Sequence, residues 1–120
     1  MPADREALLR EMYALFNARD VDALLATMAP DVDWPNGWEG GRVSGHEAVR
    51  EYWTRQWAEI DPRVEPLAFA RRDDGRVAIT VEQTVRSLDG ALIAQDTVIH
   101  TYTFDDATGL IAAMEIEAPA

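Results

Sequence analysis

His100, Asp96 and Gln83 are side chains able to move protons and hold polar ligand atoms, and the sequence places all three on an otherwise apolar strand face. The placement follows from one turn. Asp89-Gly90 lies between two alternating runs, residues 77–88 and 91–104, and Asp-Gly in that setting is a strong hairpin signal. A two-residue loop pairs Leu88 with Ala91. The ladder then pairs Val85 with Ala94, Gln83 with Asp96, Val81 with Val98, Ile79 with His100 and Val77 with Tyr102. Side chains alternate across a strand. One face therefore carries Val77, Ile79, Val81, Val85, Ala94, Val98, Tyr102 and Phe104, interrupted by the three polar residues. Thr80, Thr84, Thr97, Thr101 and Thr103 fall on the other face. Burying a polar group unpaired costs roughly 2–7 kcal/mol, so this face calls for partners or a cavity.

An imidazole titrates near pH about 6.5 and serves as general acid or base. The alternative for His100 is a core residue bonded to a backbone carbonyl or to Tyr13. Asp96 cannot orient it. The two are four residues apart on one strand, roughly 13 Å, which rules out a Ser–His–Asp-like relay between them. Asp96 faces Gln83, and a hydrogen bond between them is expected. That pair either positions substrate at a pocket edge or is simply satisfied. Asp33 is the remaining carboxylate partner for His100, against the reading that it only ends a turn.

Trp34 and Trp38 flank Pro35-Asn36-Gly37, where no regular face demands aromatic rings. They suit a rim over an apolar ligand. Asn36 could donate a hydrogen bond there, although Asn before Gly is also plain turn chemistry. Trp53 and Trp57 lie one helical turn apart and read first as core. His46 opens a helix and is expected to be exposed. Two histidines at this separation give no metal-site spacing. Glu39-Gly40-Gly41 follows no strand–loop–helix pattern, which argues against a nucleotide site.

The elements that must position these residues divide into a helical first half and a strand-rich second half, an α+β pattern. Leu8, Leu9, Met12, Leu15 and Phe16 recur at helical spacing within residues 4–18. Asp20 can cap a second helix over residues 21–28, ended by Pro30. A short strand follows at residues 32–34. Ser44-Gly45-His46-Glu47 fits a capping box opening a third helix over residues 46–60, stopped by Asp61-Pro62. Strands follow at residues 64–71, 77–88, 91–104 and 110–117. In the first hairpin either Ala68 and Ala70 or Leu67 and Phe69 face inward. In the last strand Leu110, Ala112, Met114 and Ile116 join the apolar face.

At 120 residues the chain is expected to form a single domain over residues 1–120. Net charge is −11, with eleven Arg and no Lys. Such an acidic surface repels nucleic acid and anionic lipid, so neither is an expected partner. The chain has no Cys, which excludes disulfides, thiolate metal sites and a Cys nucleophile. No apolar run has the length of a membrane span and no export leader is visible. The expected location is the cytoplasm, with a mature secreted form as the alternative.

Four segments carry a family resemblance. Residues 8–22 read LLREMYALFNARDVD, which contains a Tyr-x-x-x-Asn-x-x-Asp pattern. Residues 28–33 read MAPDVD, residues 44–53 SGHEAVREYW, and residues 100–111 HTYTFDDATGLI. Their order over nearly the whole chain resembles the NTF2-like superfamily, in particular its SnoaL-like and ketosteroid isomerase-like members. The resemblance implies a cone: three N-terminal helices packed on a strongly curved antiparallel sheet, with a ligand pocket at the open end. It also implies a homodimer joined through the outer face of the sheet, near Thr80, Thr84, Thr97, Ile99 and Thr101.

The family's known catalytic sets do not carry over. The isomerase base after the first strand falls on Trp34 or Asn36. The oxyanion-binding Tyr falls on Met12, with Tyr13 adjacent, and the protonated Asp falls on His100. No Arg lies on the inferred inner face of the central hairpin, unlike the epoxide hydrolase-like members.

The resulting expectation is acid–base catalysis on a small, mostly apolar carbonyl compound by isomerisation, cyclisation or dehydration, without metal or organic cofactor. His100 is the acid or base, Asp33 assists and Tyr13 donates to a developing oxyanion. Asp96, Gln83, Trp34, Asn36, Trp38, Met12, Phe16, Trp53, Trp57, Val98 and Tyr102 surround the ligand. A non-catalytic binding protein and a structural dimerisation domain are the alternatives.

Overall fold

The computed structural model describes residues 2–36 and 40–117. Three helices pack against one sheet: α1 (Pro2–Ala18), α2 (Val21–Ala26) and α3 (His46–Glu59). The strands are β1 (Met28–Pro35), β2 (Arg42–Ser44), β3 (Ile60–Arg71), β4 (Val77–Ser87), β5 (Leu92–Phe104) and β6 (Ile111–Glu117). Their order is β2-β1-β6-β5-β4-β3. Strand β1 runs parallel to β6 and every other pair is antiparallel. The sheet is thus mixed, where a wholly antiparallel one was expected. No hairpin joins β1 to β6, so nothing in the local turn chemistry sets their relative direction. Among the described residues no helix is long and apolar enough to cross a membrane.

The central register is as the alternation implies: Val77 faces Tyr102, Ile79 faces His100, Val81 faces Val98, Gln83 faces Asp96 and Val85 faces Ala94. The tip differs. Ser87 N–H donates to the Ala91 carbonyl and Arg86 pairs with Leu92. The loop is therefore the three residues Leu88-Asp89-Gly90, with Gly90 at φ +95°. A left-handed third loop residue followed by a bulge is a common hairpin solution. The shift between Val85 and Arg86 restores the expected pairing below it.

Bulges settle the other two strands. Between β3 and β4 the register shifts after Pro66. Leu67 is the displaced residue and is 56% exposed. Phe69 then pairs with Ile79 and packs on the core, while Ala68 and Ala70 turn outward. Neither of the two simple parities holds. A shift between Thr103 and Phe104 does the same to β6: Met114 is buried as expected, but Ile111 is buried in place of Leu110 and Ala112. Bulges bend strands and raise their twist, so the sheet curls around the helices.

Helix ends also differ. α2 stops at Ala26 and Pro30 lies inside β1. It falls in the irregular stretch of β1–β6 pairing, between Met28 and Asp33, where a missing N–H is tolerated. Gly45 caps α3 at φ +86° with no side-chain hydrogen bond, so the capping box does not form. Ser44 instead pairs with Asp33 as the last residue of β2, a strand not assigned from the sequence. Asp61 and Pro62 continue as β3. His46 is half-buried, not exposed, with Nε2 3.0 Å from the Met28 carbonyl oxygen.

The Tyr-x-x-x-Asn-x-x-Asp pattern has a structural reason at each position. Tyr13 points into the core. The Asn17 amide donates to the Val64 carbonyl at 2.8 Å and accepts from the Val64 N–H at 3.0 Å, tying α1 to β3. Asp20 accepts from the Ala23 N–H and caps α2. Leu9, Met12, Leu24, Val32, Val49, Trp53, Val81 and Ile111 form the packed centre.

Candidate functional site

The inner face of the curled sheet and the apolar stripes of α1 and α3 do not close on one another. They leave a cavity of about 480 Å³. Helix α1 contributes Met12, Tyr13 and Phe16, and α3 contributes Tyr52, Trp53 and Gln56. Trp34 and Pro35 come from β1, and Pro62 and Val64 from β3. Gln83, Val98, His100 and Tyr102 line it from the central hairpin. Arg42, Met114, Glu115 and Ile116 complete it.

Three hydroxyl and ring groups meet inside. Tyr13 Oη lies 2.9 Å from His100 Nδ1 and 2.8 Å from Tyr102 Oη. His100 and Tyr102 share a strand face two residues apart, and α1 lays Tyr13 across both. The Tyr13 and His100 rings are nearly parallel, at 13°. Burial pushes His100 down to about 4. It raises Tyr13 well above the usual phenol range, with Tyr102 beside it adding to the rise. Burial raises Tyr102 as well. All three are therefore neutral near pH 7. His100 Nε2 is buried with no hydrogen-bond partner among the described residues. A neutral imidazole has one donor and one acceptor nitrogen; Tyr13 engages Nδ1, and packing closes Nε2 off from the cavity space.

Several expected residues lie elsewhere. Asp33 and Trp34 are neighbours on β1 and point to opposite faces. Asp33 does not line the cavity. Its carboxylate accepts from Arg42 Nε at 2.8 Å, so it is not the partner of His100. Asp96 is exposed, does not line the cavity and makes no bond to Gln83. Residues 92–97 of β5 are exposed or half-buried, so little covers that end of the hairpin and an inward parity there is not burial. Asn36 is buried, but its N–H donates to the Gly41 carbonyl and its carbonyl accepts from Gly40 in the loop. It does not line the cavity. Trp38 falls outside the described residues. Trp57 packs 5.4 Å from Phe16 and 5.9 Å from Trp53, under the Arg19 guanidinium, and stays outside the cavity.

Arg42 was not anticipated. Besides Asp33 it donates to the Met114 carbonyl at 2.7 Å and to Glu115 at 3.3 Å. It stitches β2 to β6 at the wall of the cavity. Its signal was hidden in the Gly-rich stretch, because β2 is recognisable only through its pairing with β1. Gln56, Tyr52 and Val64 were missed as well. Their helical and strand periods read as core, and periodicity does not distinguish core from cavity wall. Among the described residues no His, Cys, Asp and Glu cluster could hold a metal ion.

Comparison with known proteins agrees with this architecture. TerC, crystallised with polyporic acid, is 29% identical; the match covers 96% of this chain and 91% of that one at a TM-score of 0.80. The epoxide hydrolase/cyclase-like enzyme SalBIII, described in pyran ring formation in the polyether salinomycin, is 18% identical. That match covers 97% and 91% of the two chains at a TM-score of 0.81. RV0760c from Mycobacterium tuberculosis, in complex with estradiol-17beta-hemisuccinate, is 21% identical over 92% and 89% of the chains at a TM-score of 0.78. No curated protein sequence gives a match. The model of the SnoaL-like domain spans residues 9–114, from the first core leucine of α1 to the cavity-lining Met114 of β6, and the chain therefore belongs to the SnoaL-like family of the NTF2-like superfamily.

Proposed function

We propose that the protein binds a small, mostly apolar carbonyl compound in this cavity and performs acid–base chemistry on it, of isomerase, cyclase or dehydratase type. The observation that carries the reading is the placing of His100, bonded through Nδ1 to Tyr13, in the wall of a cavity of about 480 Å³. The volume falls within the range typical of small-ligand sites, about 300–1,000 Å³. Trp34, Trp53, Phe16 and Val98 supply apolar walls, and Gln83 and Gln56 supply polar contacts. His100 handles the proton, and the Tyr13–Tyr102 pair faces the oxygen on which charge develops. Polyporic acid, an aryl quinone, is the co-crystallised compound in TerC and supports an aromatic carbonyl ligand here. No metal or organic cofactor is invoked. The net charge of −11 favours solubility and fits a cytoplasmic enzyme.

A homodimer through the outer sheet face belongs to the same reading. Thr101 is only 1% exposed in the single chain, so the more exposed Thr97 is the better candidate for that interface.

A non-catalytic carrier is the second reading. Its support is that no carboxylate among the described residues bonds to His100 and that burial makes the ring a weak base. The test is a titration with polyporic acid followed by tryptophan fluorescence, and then a panel of aryl ketones and quinones followed by NMR. Conversion by the wild type that is lost in His100→Ala supports the enzyme. Tight binding without conversion of any compound moves the assignment to a carrier.

A further inference from the structure

The polar groups around the cavity are not equally open to a ligand. Packing closes off Nε2 of His100, and Tyr102 has no exposed surface. Recognition of a bound molecule in this conformation falls to other groups. Gln56 and Gln83 both line the cavity, and both are only half-buried. Neither side-chain amide has a hydrogen-bond partner among the described residues.

The two amides come from one side of the fold. Gln83 stands opposite Val64, across the ladder between β4 and the edge strand β3. Gln56 lies on the last turn of α3, and its backbone carbonyl accepts from the Ile60 N–H where β3 begins. The charged residues lining the cavity, Arg42 and Glu115, come from β2 and β6 instead. Arg42 is already engaged there. A guanidinium has five N–H donors, and those of Arg42 reach the Asp33 carboxylate and carbonyl, the Met114 carbonyl and the Glu115 carboxylate. With two carboxylates beside it, Arg42 has no charge left for an anion.

This distribution restricts the ligand. A carboxylate or phosphate placed against Gln56 and Gln83 would lose water and gain no countercharge, which costs more than its hydrogen bonds return. A primary amide offers both N–H donors and an oxygen acceptor. A group that only accepts leaves the amide oxygen without a donor. A group that both donates and accepts satisfies both ends of the amide.

We propose that Gln56 and Gln83 determine the specificity of this cavity. Its ligand carries an uncharged group that both donates and accepts hydrogen bonds, a hydroxyl or a carboxamide, at the end lying against β3 and β4. The inference rests on the small-ligand reading above and holds whether or not the ligand is converted.

The test compares benzophenone with its para-carboxamide, para-hydroxymethyl and para-carboxylate derivatives by calorimetric titration near pH 7. The carboxamide and carboxylate have nearly the same shape and differ in charge. In the wild type the carboxamide or the hydroxymethyl compound should bind about threefold to tenfold tighter than benzophenone. The carboxylate should bind at least about tenfold more weakly than the carboxamide. Gln83→Met and Gln56→Met keep an unbranched side chain and remove the amide. At least one of them should abolish the advantage over benzophenone, while binding of benzophenone itself shows that the cavity is intact. Whichever neutral derivative keeps its advantage in the wild type tells a hydroxyl from a carboxamide. A carboxylate that binds as tightly as the carboxamide overturns the inference. So does an advantage that both Met variants retain, or no advantage at all. In each of those cases benzophenone binding leaves the small-ligand reading standing. If the wild type binds none of these compounds and no polyporic acid, both are overturned.

Discussion

Tyr13 Oη and His100 Nδ1 are 2.9 Å apart, although 87 positions separate them in the chain. One belongs to the first helix and the other to the fifth strand. The bond exists because α1 is held across the inner face of the sheet, and Asn17, one turn further along, pins that helix to Val64. Chemistry at His100 therefore depends on a helix placement that no residue near His100 controls.

Tyr13→Phe keeps the ring and both ends of the network. If the three groups act together, it should slow conversion by roughly 10²–10⁴-fold, the usual range for general acid–base catalysis. His100→Ala should lose a similar factor. Steady-state rates on any converted compound decide this. A loss in His100→Ala with less than about a threefold loss in Tyr13→Phe would make His100 a solitary base.

Stability should depend on His100. Its pKa falls from 6.5 to about 4 on folding because burial disfavours the imidazolium. Tyr13 and Tyr102 offer it only neutral hydroxyls, and Arg42 and Glu115 are the charged residues lining the same cavity. The unfolded chain takes the proton first as pH falls. The stabilisation is therefore complete above about pH 6.5 and is lost progressively down to about pH 4, by about 3 kcal/mol in all. Urea unfolding at a series of pH values in wild type and His100→Gln measures it. The same slope in both proteins would refute the assignment.

Asn17→Ala removes both side-chain hydrogen bonds to Val64. A loss of about 1–3 kcal/mol is expected, because the Val64 backbone groups are left unpaired in a part-buried place. Chemical denaturation gives the number. The ligand affinity should fall with it, since Val64 and the α1 residues line the cavity together.

Asp33→Asn weakens an ion pair with Arg42 that is about half-exposed on the Asp33 side. The expected cost is at most about 1 kcal/mol, with conversion unchanged. A rate loss as large as that of His100→Ala would return Asp33 to the site.

Trp53→Ala deletes a fully buried ring that touches Trp34, Phe16 and Trp57. It should cost about 3–5 kcal/mol, read from the urea midpoint. In the folded fraction, the enlarged cavity should weaken binding of polyporic acid.

Much of the fold was legible because it rests on local rules. Alternation and the Asp-Gly turn put His100 opposite Ile79 and both on the inner face. Helical spacing marked Leu9, Met12, Val49 and Trp53 as buried positions. What escaped was set by bulges and by long-range pairing. Leu67 and Ala112 fall at breaks in their ladders, where side-chain parity slips by one. β2 has meaning only beside β1, and the parallel β1–β6 contact has no turn to announce it.

The site divides in the same way. The sequence by itself determined that a histidine would stand on an apolar strand face and that no cysteine chemistry was available, because strand period and residue identity are local facts. It could not determine which inward residues meet the helices and which project beyond them. Asp96 has the right parity but lies where little covers the hairpin, and Asp33 is taken by Arg42. Only the tertiary structure decided that Tyr13 bonds to both His100 and Tyr102. Their distances depend on how the sheet curls and where α1 crosses it, and those follow from the packing of the whole chain.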